Sequence, residues 1–152
     1  MAKTVMTVNG PITPEKIGKT AIHEHLILAF PGWRYDPDST FDEDKAQKYL
    51  VEVLTKAKSY GLSTVVDAWP YADDRFPELY RKVQQETGVN IIKSAGIQHA
   101  GAGNSYWSNL LWSHHPLEEM RPRLVHAMLK DIEEGIEGTD VKAGIIKCST
   151  EK

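Results

Sequence analysis

The chain contains 152 residues, 41% of them hydrophobic, and carries a formal net charge of −3 at pH 7. This is the size of one domain with enough apolar residues for a core, and the small negative charge does not indicate nucleic acid or an anionic membrane as a partner. The single cysteine, Cys148, excludes an internal disulfide. A single cysteine also favours a reducing cytoplasm. The sequence shows no apolar leader and no apolar run of about 18 residues, which agrees with that location. We therefore expect residues 1–152 to form a single domain of a cytoplasmic protein.

The first part of the chain predicts a hairpin and a strand. Strand-favouring residues from Thr4 to Ile12 surround Asn9-Gly10, a strong signal for a two-residue turn. A short apolar run from Thr20 to His25 predicts a strand. Residues 29–40, which contain two prolines and a glycine, predict a loop after it.

The hydrophobic pattern then changes to that of a helix. Apolar residues three and four positions apart predict a helix from Phe41 to about Ala57. Thr40 or Asp42 can cap its start, and Gly61 can close its end in the left-handed conformation. The run from Leu62 to Ala68, rich in β-branched residues, predicts a buried strand.

The same alternation continues to the end of the sequence. A second helix is predicted from Phe76 to Thr87 and a third strand from Asn90 to Gly96. The segment from Ile97 to Pro116 is too long for a plain connection, which indicates a functional loop. The third helix is expected to begin at Pro122, and the fourth strand to run from Ala143 to Ser149. Buried strands alternating with amphipathic helices indicate a parallel α/β sheet covered by helices.

His23 and His25 lie two positions apart in the strand predicted from Thr20 to His25. Alternate residues of a strand share a face, so both imidazoles would point to one side and Glu24 to the other. Two imidazole nitrogens on one face can chelate a borderline metal such as zinc, whereas on a helix the side chains would diverge by about 200°. The alternative is that one histidine is buried and hydrogen-bonded while the other is exposed.

The histidine pair lies in the segment Gly18-Lys19-Thr20-Ala21-Ile22-His23-Glu24-His25-Leu26. This segment resembles the first signature of the phosphotriesterase family, metal-dependent hydrolases of the amidohydrolase superfamily. The resemblance continues along nearly the whole chain, in Val8–Ile12, Gly61–Asp67, Glu86–Ile92, Asp131–Ile136 and Lys142–Lys147. It implies a (β/α)8 TIM barrel, a fold of about 250 residues. This chain would supply the amino-terminal hairpin and the first four β-α units, a half-barrel.

The resemblance also implies a centre of two divalent metal ions, with zinc expected. His23 and His25 would hold one ion, and Lys147 would be N6-carboxylated so that its carbamate bridges both metals and a metal-bridging hydroxide attacks the substrate. The alternative for Lys147 is a strand-end lysine whose ammonium reaches water. Asp67 would either cap the loop that follows it or support a ligand histidine. Lys147 and Asp67 are therefore the candidate catalytic residues.

Other residues have less specific roles in this interpretation. His99, His114 and His115 are expected to be substrate-side or surface groups, His126 a partly buried packing residue, and Cys148 a buried thiol. Seven loop aromatics could line an apolar pocket or simply pack within their loops: Trp33, Tyr35, Trp69, Tyr71, Tyr106, Trp107 and Trp112.

These implications predict a zinc-dependent hydrolase that acts on an ester bond, in a phosphotriester or a lactone. The family takes two further histidines from its fifth and sixth strands and an aspartate from its eighth, and those strands lie outside these 152 residues. Gln98 and residues 73–77 also depart from the family pattern. The alternative is a truncated, non-catalytic half-barrel that acts as a metal-binding or assembly fragment. Because a four-stranded sheet has two open edges, we expect a homodimer or a chain incomplete without the carboxyl-terminal half.

Overall fold

The computed structural model describes residues 3–28, 32–70, 75–97, 110 and 116–148. Strands and helices alternate in these residues after an initial hairpin. In chain order they are β1 (Val5–Thr7), β2 (Gly10–Ile12), β3 (Thr20–Glu24), α1 (Glu43–Ser59), β4 (Thr64–Asp67), α2 (Pro77–Thr87), β5 (Asn90–Ile97), α3 (Leu117–Glu133) and β6 (Ile145–Cys148). Short 3-10 turns lie at Pro14–Lys16, Trp33–Tyr35 and Ile136–Gly138.

The strands from β3 to β6 form one four-stranded parallel sheet in which the spatial order is the chain order. Each strand is joined to its neighbour by a connection that contains a helix, as parallel pairing requires. The predicted half-barrel is confirmed: the chain folds as consecutive β-α units of a (β/α)8 barrel. This topology places the carboxyl ends of all four strands on one rim.

The hairpin of β1 and β2 packs against the amino-terminal end of the sheet. Its turn consists of Val8 and Asn9, because Thr7 pairs with Gly10, so the turn lies one residue earlier than predicted. Val8 is buried, and its N–H donates to the carbonyl of Ile91 at 2.9 Å. Burial of this one apolar side chain outweighs the local preference for a turn at Asn9-Gly10. The hairpin therefore closes the end of the sheet opposite the histidines.

The core lies between the sheet and the first two helices. Its buried members come from the hairpin turn, both helices, the strands and the connections before β5 and β6: Val8, Leu50, Leu54, Val65, Leu79, Tyr80, Val83, Val89, Ile91 and Val141. α1 begins at its predicted cap, since the Asp42 carboxylate accepts a hydrogen bond from the Lys45 N–H at 3.0 Å. Gly88 ends α2 in the left-handed conformation, with φ of 65°.

The prediction that the third helix begins at Pro122 is wrong. α3 begins at Leu117 and includes Pro122 in its second turn. Proline has no N–H, so the helix loses one backbone hydrogen bond there, to the carbonyl of Glu118. Glu118 is exposed, so water can reach its carbonyl instead. Most of the long segment before α3 lies outside the described residues, including His99, His114 and His115. Gln98, Tyr71, Tyr106, Trp107 and Trp112 lie outside them as well. None of the helices in the described ranges is long and apolar enough to cross a membrane.

Candidate functional site

His23 and His25 lie at the carboxyl end of β3, on the rim where the parallel strands end. The pairing of β3 with β4 is irregular between Ala21 and Glu24, so His23 lies in the irregular stretch and His25 directly follows the strand. Simple alternation along a strand therefore does not describe this segment, since an irregularity of this kind redirects side chains. The two imidazole rings are nevertheless neighbours, with centroids 5.2 Å apart and planes at 69°.

This spacing fits two ligands of one metal ion. Two zinc–nitrogen bonds of about 2.0–2.1 Å to one tetrahedral ion place the two ring centroids roughly 5 Å apart. Partial burial lowers the pKa of His25 below its ordinary value, and the charges of His23 and Lys147 act in the same direction while Asp67 opposes them. A neutral imidazole keeps the lone pair that a metal needs. Within the described ranges, no three His, Cys, Asp or Glu side chains converge on one point, so the pair is an incomplete ligand set.

Lys147 is the third residue of β6 and lies opposite Gly96 of β5. It is partly buried, and its charge is close enough to contribute to the lowered pKa of His25. The sheet therefore brings Lys147 into the same electrostatic environment as the histidine pair. Gly96 permits the close approach of the two strands, because a Cβ at that position would collide with the carbonyl of Lys147.

Asp67 ends β4 and is fully buried. Its Oδ2 accepts from Lys93 Nζ at 2.8 Å, and its Oδ1 accepts from the backbone N–H of Trp69 at 3.2 Å. Tyr80 of α2 lies near this carboxylate, and the charge of Asp67 contributes to the raised pKa of Tyr80. Asp67 thus caps the loop that follows it, which was one of the two predicted alternatives. The indole of Trp69 in turn meets the ring of His25 edge-on, with centroids 5.2 Å apart and planes at 88°.

Lys93 is a residue that the sequence analysis missed. It lies in the middle of the buried strand β5, directly opposite Asp67, and its Nζ lies 4.6 Å from the centre of the Tyr80 ring. Burial lowers the pKa of Lys93, and Asp67 opposes that shift. Burial, and next the charge of Asp67, raise the pKa of Tyr80 well above its ordinary value. The available signal was a lysine within the apolar run Asn90–Gly96, because such a lysine requires a buried carboxylate partner.

A second buried ion pair fixes the end of the loop between β4 and α2. Arg75 donates to Asp131 of α3 at 2.6 Å and to the carbonyl of Ser94 at 3.0 Å. Its backbone N–H donates to Glu137 Oε1 at 2.9 Å. The end of this loop is therefore held against both β5 and the region that follows α3.

Two predicted burials are wrong. Cys148 is exposed, because the described residues leave the outer face of β6 uncovered. His126 is also exposed, since the buried face of α3 is formed by other residues, such as Met120 and Asp131.

The sequence and the fold match one family throughout the chain. The model of the phosphotriesterase family matches residues 3–152. The chain belongs to the phosphotriesterase family. The phosphotriesterase homology protein of Mycobacterium tuberculosis is 30% identical over 149 residues, covering 96% of this chain and 44% of that protein. The aryldialkylphosphatase of Saccharolobus solfataricus is 29% identical over 141 residues, covering 93% of this chain and 42% of that protein.

A solved family structure shares the same fold. The organophosphorus hydrolase from Deinococcus radiodurans superposes with a TM-score of 0.85 at 30% identity, covering 95% of this chain and 43% of that one. This phosphotriesterase-family chain therefore spans less than half the length of the relatives it matches. Its matched portion corresponds to an amino-terminal half-barrel.

Proposed function

We propose that this chain is the amino-terminal half of a metal-dependent hydrolase that acts on an ester bond, in a phosphotriester or a lactone. The observation that carries the proposal is the His23–His25 pair, whose ring centroids lie 5.2 Å apart at the rim of a phosphotriesterase-family sheet. Names of relatives, such as aryldialkylphosphatase and PTE-like lactonase, support the substrate class.

The donor set favours zinc at the histidines and a modified lysine beside them. His23 and His25 would hold one divalent ion through neutral imidazoles. Lys147 would need to be N6-carboxylated to act as a ligand of two ions, because an ammonium carries no lone pair and repels a cation. When bound, two such ions supply Lewis-acid polarisation of the substrate oxygen and activation of water.

Other residues of the chain would support this site without touching the substrate. Asp67 is fully buried and forms an ion pair with Lys93. Its proposed role in the reaction is therefore indirect: it fixes the loop that carries Trp69. The large neighbouring aromatic excludes water from one side of His25. A partly desolvated imidazole stays neutral at neutral pH, ready to bind a cation.

The remaining ligands would come from outside these 152 residues. We propose that either a carboxyl-terminal half or a second copy of the chain completes the barrel. A second candidate function is a non-catalytic half-barrel that binds metal or assembles with another chain. This candidate is favoured by the incomplete ligand set in the described ranges and by coverage of only 42–44% of the relatives.

Metal uptake tests the proposal directly. The chain reconstituted with Zn²⁺ should retain metal after desalting, and the His23→Ala/His25→Ala double variant should retain none. His126→Ala, at an exposed histidine of α3, is the matched control and should retain as much metal as the wild type. Equal metal in the double variant and the wild type would contradict the proposal.

The lysine is tested in the same assay. Removing carbon dioxide during reconstitution should lower metal uptake if Lys147 binds as a carbamate. Lys147→Met should lower it as well, whereas Lys147→Glu should recover part of it, because glutamate supplies two anionic oxygens. Uptake that is indifferent to all three changes would leave Lys147 as an ordinary strand-end lysine. Hydrolysis of a phosphotriester and of a lactone by the same samples separates the enzyme from the non-catalytic fragment.

A further inference from the structure

Trp69 is a buried residue whose ring packs against one member of the histidine pair. It lies two positions after the end of β4 and is only 8% exposed. Its ring meets that of His25 nearly perpendicularly, with centroids 5.2 Å apart. His25 itself follows the last residue of an edge strand and is exposed on its other side. The indole therefore forms an aromatic wall, that is, a ring surface that covers one side of the His25 imidazole.

The position of Trp69 is fixed from inside the fold. Its backbone N–H donates to Asp67 Oδ1 at 3.2 Å, and Asp67 Oδ2 accepts from Lys93 at 2.8 Å. Tyr80 of α2 is buried beside this pair, with its ring centre 4.6 Å from Lys93 Nζ. These side chains, on β4, β5 and α2, are all buried. A continuous set of contacts thus leads from Lys93 through Asp67 and Trp69 to His25.

We propose that Trp69 is a positioning residue that holds the His25 imidazole in the orientation in which it shares a metal ion with His23. The inference rests on the proposed function, because it concerns the metal site of that function. An imidazole at an exposed strand end would otherwise sample several rotamers, and metal binding would have to immobilise it. Fixing one such side chain in advance improves affinity by roughly three- to tenfold.

The contribution of Trp69 comes from its ring surface and not from its N–H group. The indole Nε1 is buried and has no hydrogen-bond partner among the residues that the structure describes. Such an unpaired donor is unfavourable, so a polar contact in this part of the chain does not explain a tryptophan at position 69. A phenylalanine should therefore perform most of the same role.

Zinc affinity measures the proposed role without any need for turnover. We expect Trp69→Ala to raise the Zn²⁺ dissociation constant by roughly three- to tenfold in competition with a chromophoric chelator. Trp69→Phe should stay within about twofold of the wild type, since it keeps an aromatic wall. Tyr49→Ala, at an exposed aromatic residue of α1 far from the rim, is the control and should leave the dissociation constant unchanged.

A double-mutant cycle shows whether Trp69 acts through His25. Cu²⁺ is the probe, because imidazoles bind it most tightly among divalent first-row ions and single-histidine variants remain measurable. Trp69→Ala should weaken Cu²⁺ binding in the His23→Ala background, where His25 remains. It should have no effect in the His25→Ala background. Equal losses in both backgrounds would mean that Trp69 is only structural and would overturn the inference.

The inference and the proposed function fail in different ways. Wild-type chain that binds no more Zn²⁺ than the His23→Ala/His25→Ala variant overturns the proposed function and, with it, this role. Zinc binding that a folded Trp69→Ala variant leaves unchanged overturns the positioning role alone. Because loss of a buried indole can unfold a chain, Trp69→Leu serves as a second variant that fills the space without an aromatic wall. It should weaken Zn²⁺ binding as Trp69→Ala does, and unchanged affinity would overturn the inference.

Discussion

Lys93 and Asp67 form an ion pair between adjacent strands, with 2.8 Å from Nζ to Oδ2, and both side chains are fully buried. The two residues face each other in the register of β4 and β5. Tyr80 of α2 lies beside them: its ring centre is 4.6 Å from Lys93 Nζ, and the charge of Asp67 contributes to its raised pKa. The ion pair is thus enclosed between the sheet and α2. Its carboxylate, Asp67, also fixes the loop that carries Trp69.

Removing Lys93 should destabilise the fold strongly. Lys93→Met keeps the aliphatic stem but leaves Asp67 buried without its partner, and we expect the free energy of unfolding to fall by about 3–5 kcal/mol. Urea denaturation measures the change. Lys82→Met is the matched control, because Lys82 pairs with Glu43 at 3.5 Å on the surface, where both side chains are about half exposed. That variant should lose less than about 1 kcal/mol, and equal losses would contradict a special role for the buried pair.

The buried tyrosine predicts a loss of stability in alkaline solution. Burial, and next the charge of Asp67, raise the pKa of Tyr80 well above its ordinary value of 10.0. The unfolded chain releases this proton near pH 10 while the folded chain keeps it. The contribution of Tyr80 to stability is therefore complete below about pH 10 and is lost as the pH rises from there toward the folded-state pKa.

Tyr80→Phe should remove this alkaline contribution. Between about pH 9 and pH 11, the free energy of unfolding should decline less in the variant than in the wild type. Lys93, whose pKa burial lowers, acts in the opposite direction in both proteins, so the difference between the two curves reports Tyr80. Tyr49→Phe, at an exposed tyrosine of α1, controls for the loss of a hydroxyl and should follow the wild-type curve. Parallel curves for Tyr80→Phe and the wild type would refute the prediction.

The order of strands and helices could be predicted from the sequence because each element carries its own local signal. Asp42 and Gly61 mark the two ends of α1 through side-chain capping and the left-handed conformation, and both lie where they were expected. The irregular pairing between Ala21 and Glu24 carries no such signal, because it depends on how β3 meets β4.

The histidine pair could be predicted from the sequence, but its supporting residues could not. His23 and His25 are close in the chain, and their spacing alone suggested a shared face. The contacts from Lys93 to Asp67 and from Trp69 to His25 join residues far apart in the chain. Only the register of the sheet and the course of the loop bring these residues together, and neither is a local property.

Gly96 should tolerate no side chain. Its φ is +131°, and a Cβ there would collide with the carbonyl oxygen of Lys147 on β6. We expect Gly96→Ala to lower the free energy of unfolding by about 3 kcal/mol, measured in urea. Gly10→Ala separates backbone strain from collision, because Gly10 has φ of +100° and nothing lies within 4 Å of its added Cβ. It should cost only about 1–2 kcal/mol. Equal losses would mean that contact with Lys147 is unimportant.

The two edges of the sheet should drive self-association of the 152-residue chain. β3 and β6 are the edge strands, and each exposes a large isoleucine: Ile22 is 76% exposed and Ile146 is 58% exposed. Unpaired strand edges with apolar side chains recruit further strands. A symmetric dimer would place β6 of one copy beside β3 of the other at both junctions, and all eight strands would stay parallel.

Light scattering at increasing concentration measures this association. We expect a mass above that of the monomer, and Ile22→Lys/Ile146→Lys should shift it toward the monomer, because each junction would then bring two lysines together. Tyr60→Lys removes an equally exposed apolar side chain, 74% exposed, from the end of α1 and away from both edges. It should therefore leave the mass unchanged. A wild-type chain that stays monomeric at every concentration, or association that Tyr60→Lys weakens as much as the edge substitutions, would contradict pairing through β3 and β6.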